Sequence, residues 1–160
     1  MYGEIVAKVY LMSIRPKFAY QIFTGVKKFE LRRSIGLDIE PGSRIVLYVS
    51  GKVKAILGEF TVGRVIEGTA EYVWKTIRQY GDVGVDSDDW PYIKGAKKAI
   101  AIEVLNPVMY DRPIKLDEIK RVIPGFMPPL SYRILYEGEP LYELLLKKIV
   151  KKRVDRGSVK

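Results

Sequence analysis

The sequence predicts an α+β fold in which a small, mostly antiparallel sheet curls toward a barrel and short helices lie beside it. Its 160 residues are the length of one compact unit. With 48% hydrophobic and 29% charged residues, the chain has the composition of a globular protein that buries a core. Its apolar segments are separated by short turns rather than by long helical crossovers, which favours antiparallel pairing.

Six segments have the apolar alternation and the flanking turn signals of β-strands. They are residues 8–14, 27–33, 44–49, 54–60, 62–66 and 99–105. The first has apolar residues on both sides of its pleat, which predicts a central strand. In the second, Phe29 and Leu31 are expected to face the core, whereas Lys28, Glu30 and Arg32 are expected to point the other way. The last is predicted to end where an Asn-Pro pair follows it.

Helix signals follow the first strand and recur toward the C-terminus. Pro16 suits the first position of a helix that ends near Gly25. Thr69 is a candidate N-cap for a second helix, which ends before Gly81. Apolar residues at helical spacing predict two more helices, one over 116–122 and one over 141–154.

The predicted elements change from mostly strands to helices at residue 111, which suggests a division of the chain into two parts. Residues 1–110 are predicted to form the barrel, and residues 111–160 a helical extension packed on it, so that the whole is a single compact unit. The last predicted helix has one leucine-rich face for docking. Residues 141–160 also hold seven basic and two acidic side chains. A helix-turn-helix over 116–153 is possible in outline, although the prolines between its helices lengthen the turn.

Composition excludes several kinds of chemistry. The chain has no cysteine and no histidine, which removes disulfides, thiol nucleophiles, histidine triads and zinc sites of those ligands. It has no apolar run of membrane-spanning length, and residues 1–17 lack the pattern of a signal peptide, so a cytoplasmic protein is expected. The scarcity of Asn and Gln beside abundant Lys, Arg and Glu is typical of thermophiles.

A formal net charge of +9 favours a polyanionic partner, nucleic acid before membrane. The densest basic segment lies around the first predicted helix and the strand after it. Charges on a solvated strand face, with Glu30 in modest salt bridges to its neighbours, are an equally weighted structural explanation. An acidic loop at Asp82, Asp86, Asp88 and Asp89 lacks the full spacing of a calcium site, so a solvated loop is expected, and no metal or cofactor is predicted.

The same segment carries a recognisable pattern of residues. It consists of a hydrophobic strand, Ser-Ile-x-Pro-x-x-Ala, an apolar helix, and Gly-x-Lys-x-x-Glu-x-Arg. The matching residues are Ser13, Ile14, Pro16, Ala19, Gly25, Lys27, Glu30 and Arg32. This stretch resembles the signature of ASCH domains, a branch of the PUA-like superfamily. The similarity extends to about residue 135 and is best to archaeal members.

The resemblance implies a small PUA-like β-barrel with a cleft beside the Gly-x-Lys-x-x-Glu-x-Arg segment, and RNA binding in that cleft. RNA or a nucleotide is therefore the expected partner. The residues expected to bind it are Ser13, Lys17, Lys27, Lys28, Glu30, Arg32 and Arg33. Phosphate contacts by the cations would supply affinity, and Tyr20, Tyr48 or Trp90 could stack on an unpaired base. For each aromatic residue, core packing is the favoured explanation.

Two alternatives remain open. Some relatives hydrolyse acetylated cytidine or cleave RNA, and by that resemblance Lys27 and Glu30 are the candidate catalytic residues. Glu30 stands where the amidohydrolases have a Thr nucleophile, and strand alternation places Lys27 and Glu30 on opposite faces unless Lys27 lies in the turn after Gly25. The other alternative is a transcriptional regulator that senses a ligand in the barrel and contacts DNA through its C-terminal basic helix. The oligomeric state is left open.

Overall fold

The structure is a computed structural model and describes residues 7–148. Within these residues six strands and four helices follow one another, and a short 3-10 turn lies at Trp90–Tyr92. The strands are β1 (Val9–Ile14), β2 (Phe29–Arg33), β3 (Arg44–Val49), β4 (Ala55–Gly68), β5 (Ala99–Lys115) and β6 (Tyr132–Ile134). The helices are α1 (Pro16–Phe23), α2 (Ala70–Arg78), α3 (Leu116–Val122) and α4 (140–148).

The strands form one sheet in the order β2-β5-β4-β3-β1-β6, which curls into a half-barrel. Strands β1 and β3 pair in parallel, and the other neighbours pair in the antiparallel sense. The predicted α+β class and the mostly antiparallel sheet are confirmed. The half-barrel leaves β2 and β6 as its two edges, and the space between those edges becomes important below.

Apolar clusters cover both faces of the sheet. Tyr10 and Met12 of β1 pack on the face that α1 covers, whereas Leu11 packs on the opposite face, against α3 and α4. This is the alternation expected of a central strand. A third cluster joins α2 to β2 and includes Phe29 and Leu31, which face the core as predicted.

Two sequence-based boundaries in the sheet are wrong. The two strands predicted over 54–60 and 62–66 are one strand, β4, which begins at Ala55, and residues 99–105 are only the first part of β5. The Asn-Pro pair does not end β5, because it lies in a bulge between the pairs Thr61↔Leu105 and Glu59↔Val108. Asn106 there has φ 48°, a left-handed conformation that Asn tolerates better than most residues. Proline is likewise tolerated at bulges, and the strand continues.

The C-terminal part also differs from the sequence prediction. Strand β6 was not predicted, and it lies between α3 and α4, so these helices are not joined by the short turn of a helix-turn-helix. Strand β5 runs through residues 110 and 111, where the sequence suggests a division between barrel and extension; that division stays a prediction.

The predicted helix starts and docking faces agree with the structure. The side chain of Thr69 caps α2 by accepting a hydrogen bond from the backbone N–H of Tyr72. Leu141 and Leu145 are buried against the sheet, as the leucine-rich face predicts. The basic residues predicted beyond 148, namely Lys151, Lys152, Arg153 and Arg156, lie outside the described residues. Within residues 7–148, no helix is long and apolar enough to cross a membrane.

Candidate functional site

A cleft of about 660 Å³ lies where the half-barrel is left open. Strand β2 supplies one side, and the end of β1 with the loop before β6 supplies the other. The residues that line it are Ser13, Ile14, Arg15, Phe18, Glu30, Leu31, Arg32, Arg33, Ile35, Tyr48, Ser50, Gly51, Lys54, Asp89, Tyr92, Leu116, Pro128, Pro129, Leu130 and Ser131. The cleft therefore exists because β2 and β6 do not pair.

Arg32 bridges the two sides of this opening. Its Nε donates to Glu30 Oε2 at 2.8 Å, which orients the guanidinium group from its own strand. One terminal nitrogen donates to the carbonyl oxygen of Ser13 at 2.7 Å, and the other reaches Ser131 Oγ at 3.5 Å. These contacts hold a planar cation in the wall of the cleft, the form of side chain best suited to a phosphate or carboxylate.

The loop before β6 is anchored on Ser13. The hydroxyl of Ser13 donates to the carbonyl oxygen of Pro129 at 2.6 Å, and its backbone N–H donates to the carbonyl oxygen of Ser131 at 2.9 Å. Ser13 thus provides hydrogen-bond donors for two backbone carbonyl groups of this loop. Its role in the structure is to shape the cleft wall.

A buried ionic network lies behind the cleft. Lys27 is 1% exposed, forms an ion pair with Asp89, and has its Nζ 3.8 Å from Glu30 Oε1. The same ammonium group lies 4.8 Å from the centre of the Phe18 ring. Lys27 and Glu30 converge because Lys27 lies in the turn after Gly25, outside β2, where its N–H donates to the carbonyl oxygen of Gln21. The network has two cations, Lys27 and Arg32, and two carboxylates, Glu30 and Asp89. Its charges therefore balance.

Two polar groups in the cleft are free for a ligand. Within residues 7–148, neither the Tyr48 hydroxyl nor the Lys54 ammonium group has a hydrogen bond or ion pair to another side chain or to the backbone. Burial raises the pKa of Tyr48, so its phenol stays neutral and can donate a hydrogen bond. Lys54 lies in the β3–β4 turn with φ 48°, a conformation that is rare for Lys.

The structure separates the predicted binding residues into two groups. Ser13, Glu30, Arg32 and Arg33 line the cleft. Lys27 lies behind it. Lys17 forms an ion pair with Asp88 on the surface, and Lys28 is exposed outside the lining.

The three candidate stacking residues also differ in position. Tyr48 lines the cleft, with its ring in the apolar cluster below α3 and α4. Trp90 packs edge-on against Trp74, with ring centres 5.3 Å apart. Tyr20 is exposed on α1 and is not part of the lining.

Several cleft residues were missed by the sequence reasoning. Asp89 was grouped with a solvated acidic loop, yet it is 4% exposed and holds Lys27. Asp89 is followed directly by the apolar residues Trp90 and Pro91, and this neighbourhood could have indicated that its carboxylate is buried. Lys54 had no local signal, because only the curl of the sheet brings it to β2. Arg15 lies in the basic segment around the first helix but was not among the expected binding residues. No group of metal-binding carboxylates occurs in the described part of the chain.

The charges of the cleft are unequal. Arg15, Arg32, Arg33 and Lys54 line it beside two carboxylates, and both carboxylates are already engaged with cations. Lys54 has no such partner among the described residues. The lining thus has four cationic side chains and two carboxylates.

Comparison with known proteins adds a second line of observation. No protein-family model matches the chain. A curated protein from Zymomonas mobilis, an ASCH domain-containing ribonuclease, is 31% identical over 131 residues, which are 81% of this chain and 85% of that protein.

Two crystal structures of variants of the ASCH protein from Zymomonas mobilis are also similar. A serine-to-alanine variant has a TM-score of 0.73 at 28% identity, covering 86% of this chain and 94% of that one. A tyrosine-to-phenylalanine variant has a TM-score of 0.72 at 28% identity, covering 86% and 96%.

Proposed function

This chain belongs to the family of ASCH domain proteins, and from that membership we propose that it binds RNA in the cleft between β2 and β6 and cleaves it. One observation carries the proposal. A cleft lined by a bridging arginine, a free lysine and a free phenol occurs in a chain similar over most of its length to a protein called a ribonuclease. RNA is a polyanion, and the net charge of +9 favours its approach.

The free groups of the cleft suit phosphodiester chemistry. When the 2′-hydroxyl of RNA attacks the adjacent phosphorus, it loses its proton to solvent water, a 2′,3′-cyclic phosphate forms and the bond from phosphorus to the 5′-oxygen breaks. Negative charge builds on the phosphate oxygens, and the departing 5′-oxygen needs a proton. Arg32 and Lys54 would stabilise the charge, and the neutral Tyr48 hydroxyl would donate to a phosphate or leaving oxygen. Hydroxyls of Tyr and Ser line this cleft, and these two residue types are the ones substituted in the solved variants of the Zymomonas protein.

The test is cleavage of a fluorescently labelled single-stranded RNA by the purified full chain. We expect Tyr48→Phe and Lys54→Ala each to slow cleavage by about 100-fold, since a positioned proton donor or charge contributes that order of rate. The matched control is Lys52→Ala, an exposed lysine in the same turn that does not line the cleft. The proposal fails if wild-type protein produces no cleavage, or if the cleft variants cleave as fast as Lys52→Ala.

The amidohydrolase alternative has less support from the geometry. Its two candidate residues, Lys27 and Glu30, are both engaged, Lys27 with Asp89 and Glu30 with Arg32. Lys27 does not line the cleft, and Glu30 already accepts a hydrogen bond from Arg32 and lies beside the Lys27 ammonium group. We therefore assign Lys27 a structural role. Incubation with acetylated cytidine, with no turnover expected, checks this assignment.

DNA binding through the C-terminal helix stays a separate proposal. Of the basic residues in that segment, Lys148 already pairs with Glu118 of α3 at 2.7 Å. The basic residues beyond position 148 lie outside the described residues. Location in the cytoplasm is likewise proposed rather than observed, and it agrees with an RNA substrate.

A further inference from the structure

We infer that Ile35 and Leu130 hold an unpaired nucleobase at the mouth of the cleft. This inference rests on the proposed function. It adds the side chains that contact a base.

Two apolar side chains at the cleft, Leu130 and Ile35, are not packed into the core. Leu130 is 106% exposed and Ile35 is 51% exposed. Both line the cleft, and neither packs into any of the three apolar clusters formed by the described residues. Covering apolar surface is favourable, so these two side chains gain stability when a ligand covers them rather than when the chain folds.

Leu130 is displayed from a fixed backbone. The carbonyl oxygens on either side of it, those of Pro129 and Ser131, accept the two hydrogen bonds from Ser13. The two prolines before it, 128 and 129, further restrict the loop. A rigid apolar contact loses little conformational freedom when it binds, which favours affinity.

Ile35 is held in a similar way on the opposite side. The N–H of Ser34 donates to the carbonyl oxygen of Lys98 at 2.9 Å, and the hydroxyl of Tyr132 donates to the carbonyl oxygen of Leu37 at 3.2 Å. These bonds fix the chain just before and just after Ile35. Since Tyr132 belongs to β6, they also tie the Ile35 loop to the strand that follows Leu130.

The neighbouring charges identify the ligand that this arrangement fits. Arg32 and Arg33 line the same cleft as the two apolar side chains. A nucleobase joined to its phosphate has an apolar face beside an anion, which matches such a pair of surfaces. In a duplex the base faces are stacked within the helix and are not available to Ile35 and Leu130. The inferred contact therefore requires an unpaired base.

Fluorescence anisotropy tests the inference. The probe is a labelled 2′-O-methyl oligoribonucleotide, which has no 2′-hydroxyl to attack its backbone, offered single-stranded and as a duplex. We expect Leu130→Ser and Ile35→Ser each to weaken single-strand binding about three- to tenfold, from the apolar area that each loses, with little change in duplex binding. Met127→Ser is the control, because Met127 is 80% exposed in the same loop and does not line the cleft.

An abasic scan identifies the contact. A set of probes lacks one base at a time, and at one position the missing base should remove the difference between wild type and Leu130→Ser. The inference is overturned if the difference persists at every position, if Met127→Ser weakens binding equally, or if gel filtration shows that Leu130→Ser splits a dimer. Wild-type protein that binds neither probe overturns the proposed function as well, whereas equal binding by wild type and both serine variants overturns this inference alone.

Discussion

At the scale of single residues, Lys27 is the side chain whose surroundings differ most from its usual ones. Lysine is seldom fully buried unless it is paired, and here Asp89 and Glu30 supply the pairing. The ion pair between Lys27 and Asp89 joins residues 62 positions apart in the sequence. Lys27 thereby fastens the loop that carries Asp89 to the turn before β2, beside the cleft.

Replacing Lys27 should destabilise the protein because it leaves Asp89 buried without its cation. We expect Lys27→Met to lower the free energy of unfolding by about 3 kcal/mol, the lower end for a broken buried pair. Urea denaturation measures it, with the exposed neighbour variant Lys28→Met as the control. The double variant Lys27→Met with Asp89→Leu should lose less stability than the sum of the two single variants. Additive losses would show that the pair is not coupled.

The same residues show how far sequence could reach. The resemblance that rests on Lys27, Glu30 and Arg32 predicted a cleft beside β2, and a cleft lined by Glu30 and Arg32 lies there. It could not decide whether Lys27 and Glu30 meet, because that depends on where the turn after Gly25 ends. It also could not identify Asp89 as the partner of Lys27, because an ion pair between residues far apart in the sequence produces no local sequence pattern. Tyr48 was noted only as a possible stacking residue, and its free hydroxyl is a property of the folded cleft.

At the scale of secondary-structure elements, the long antiparallel contact between β4 and β5 depends on close backbone approach. A Cβ added at Gly58 would lie 2.1 Å from the carbonyl oxygen of Val108 and 2.7 Å from the ring of Phe23. Val108 follows the Asn-Pro bulge of β5. The sequence could not show that a glycine is required here, because the end predicted for β5 at residue 105 left out Val108, the residue that approaches Gly58.

Gly58→Ala should therefore separate the two strands locally and lower the midpoint of urea unfolding. The expected loss is about 2–4 kcal/mol, since overpacking against backbone cannot be relieved by rotating a side chain. Gly125→Ala is the matched control, because a Cβ there meets no atom within 4 Å. Equal stability of the two variants would mean that β4 and β5 are not in this close contact.

At the scale of the whole molecule, one cluster of polar side chains joins three neighbouring strands of the sheet, β3, β4 and β5. Arg44 of β3 donates two hydrogen bonds to Glu59 of β4, at 2.6 and 2.8 Å, and the Tyr110 hydroxyl of β5 donates a third at 2.7 Å. Burial alone would raise the pKa of Glu59, but the bonds from Arg44 and Tyr110 outweigh it and hold that pKa below its ordinary value of 4.5.

This shift predicts how stability depends on pH. A carboxylate whose pKa is lower in the folded state stabilises that state fully above its ordinary value of 4.5, and the contribution disappears as the pH falls through the folded-state pKa. We therefore expect unfolding free energy to decrease below about pH 4.5, with a smaller decrease in Glu59→Gln, followed by circular dichroism. The exposed carboxylate variant Glu137→Gln should retain the wild-type dependence. An identical acid response in Glu59→Gln would contradict the assignment.

The strand order has a consequence for how this protein is made. β6 lies at one edge of the sheet beside β1, yet it follows every other described strand in the sequence and so leaves the ribosome after them. The wall that carries Leu130 and Ser131 is absent from any nascent chain that ends before it. The cleft therefore cannot form until the chain through β6 has been synthesised, although the other five described strands are already available to pair.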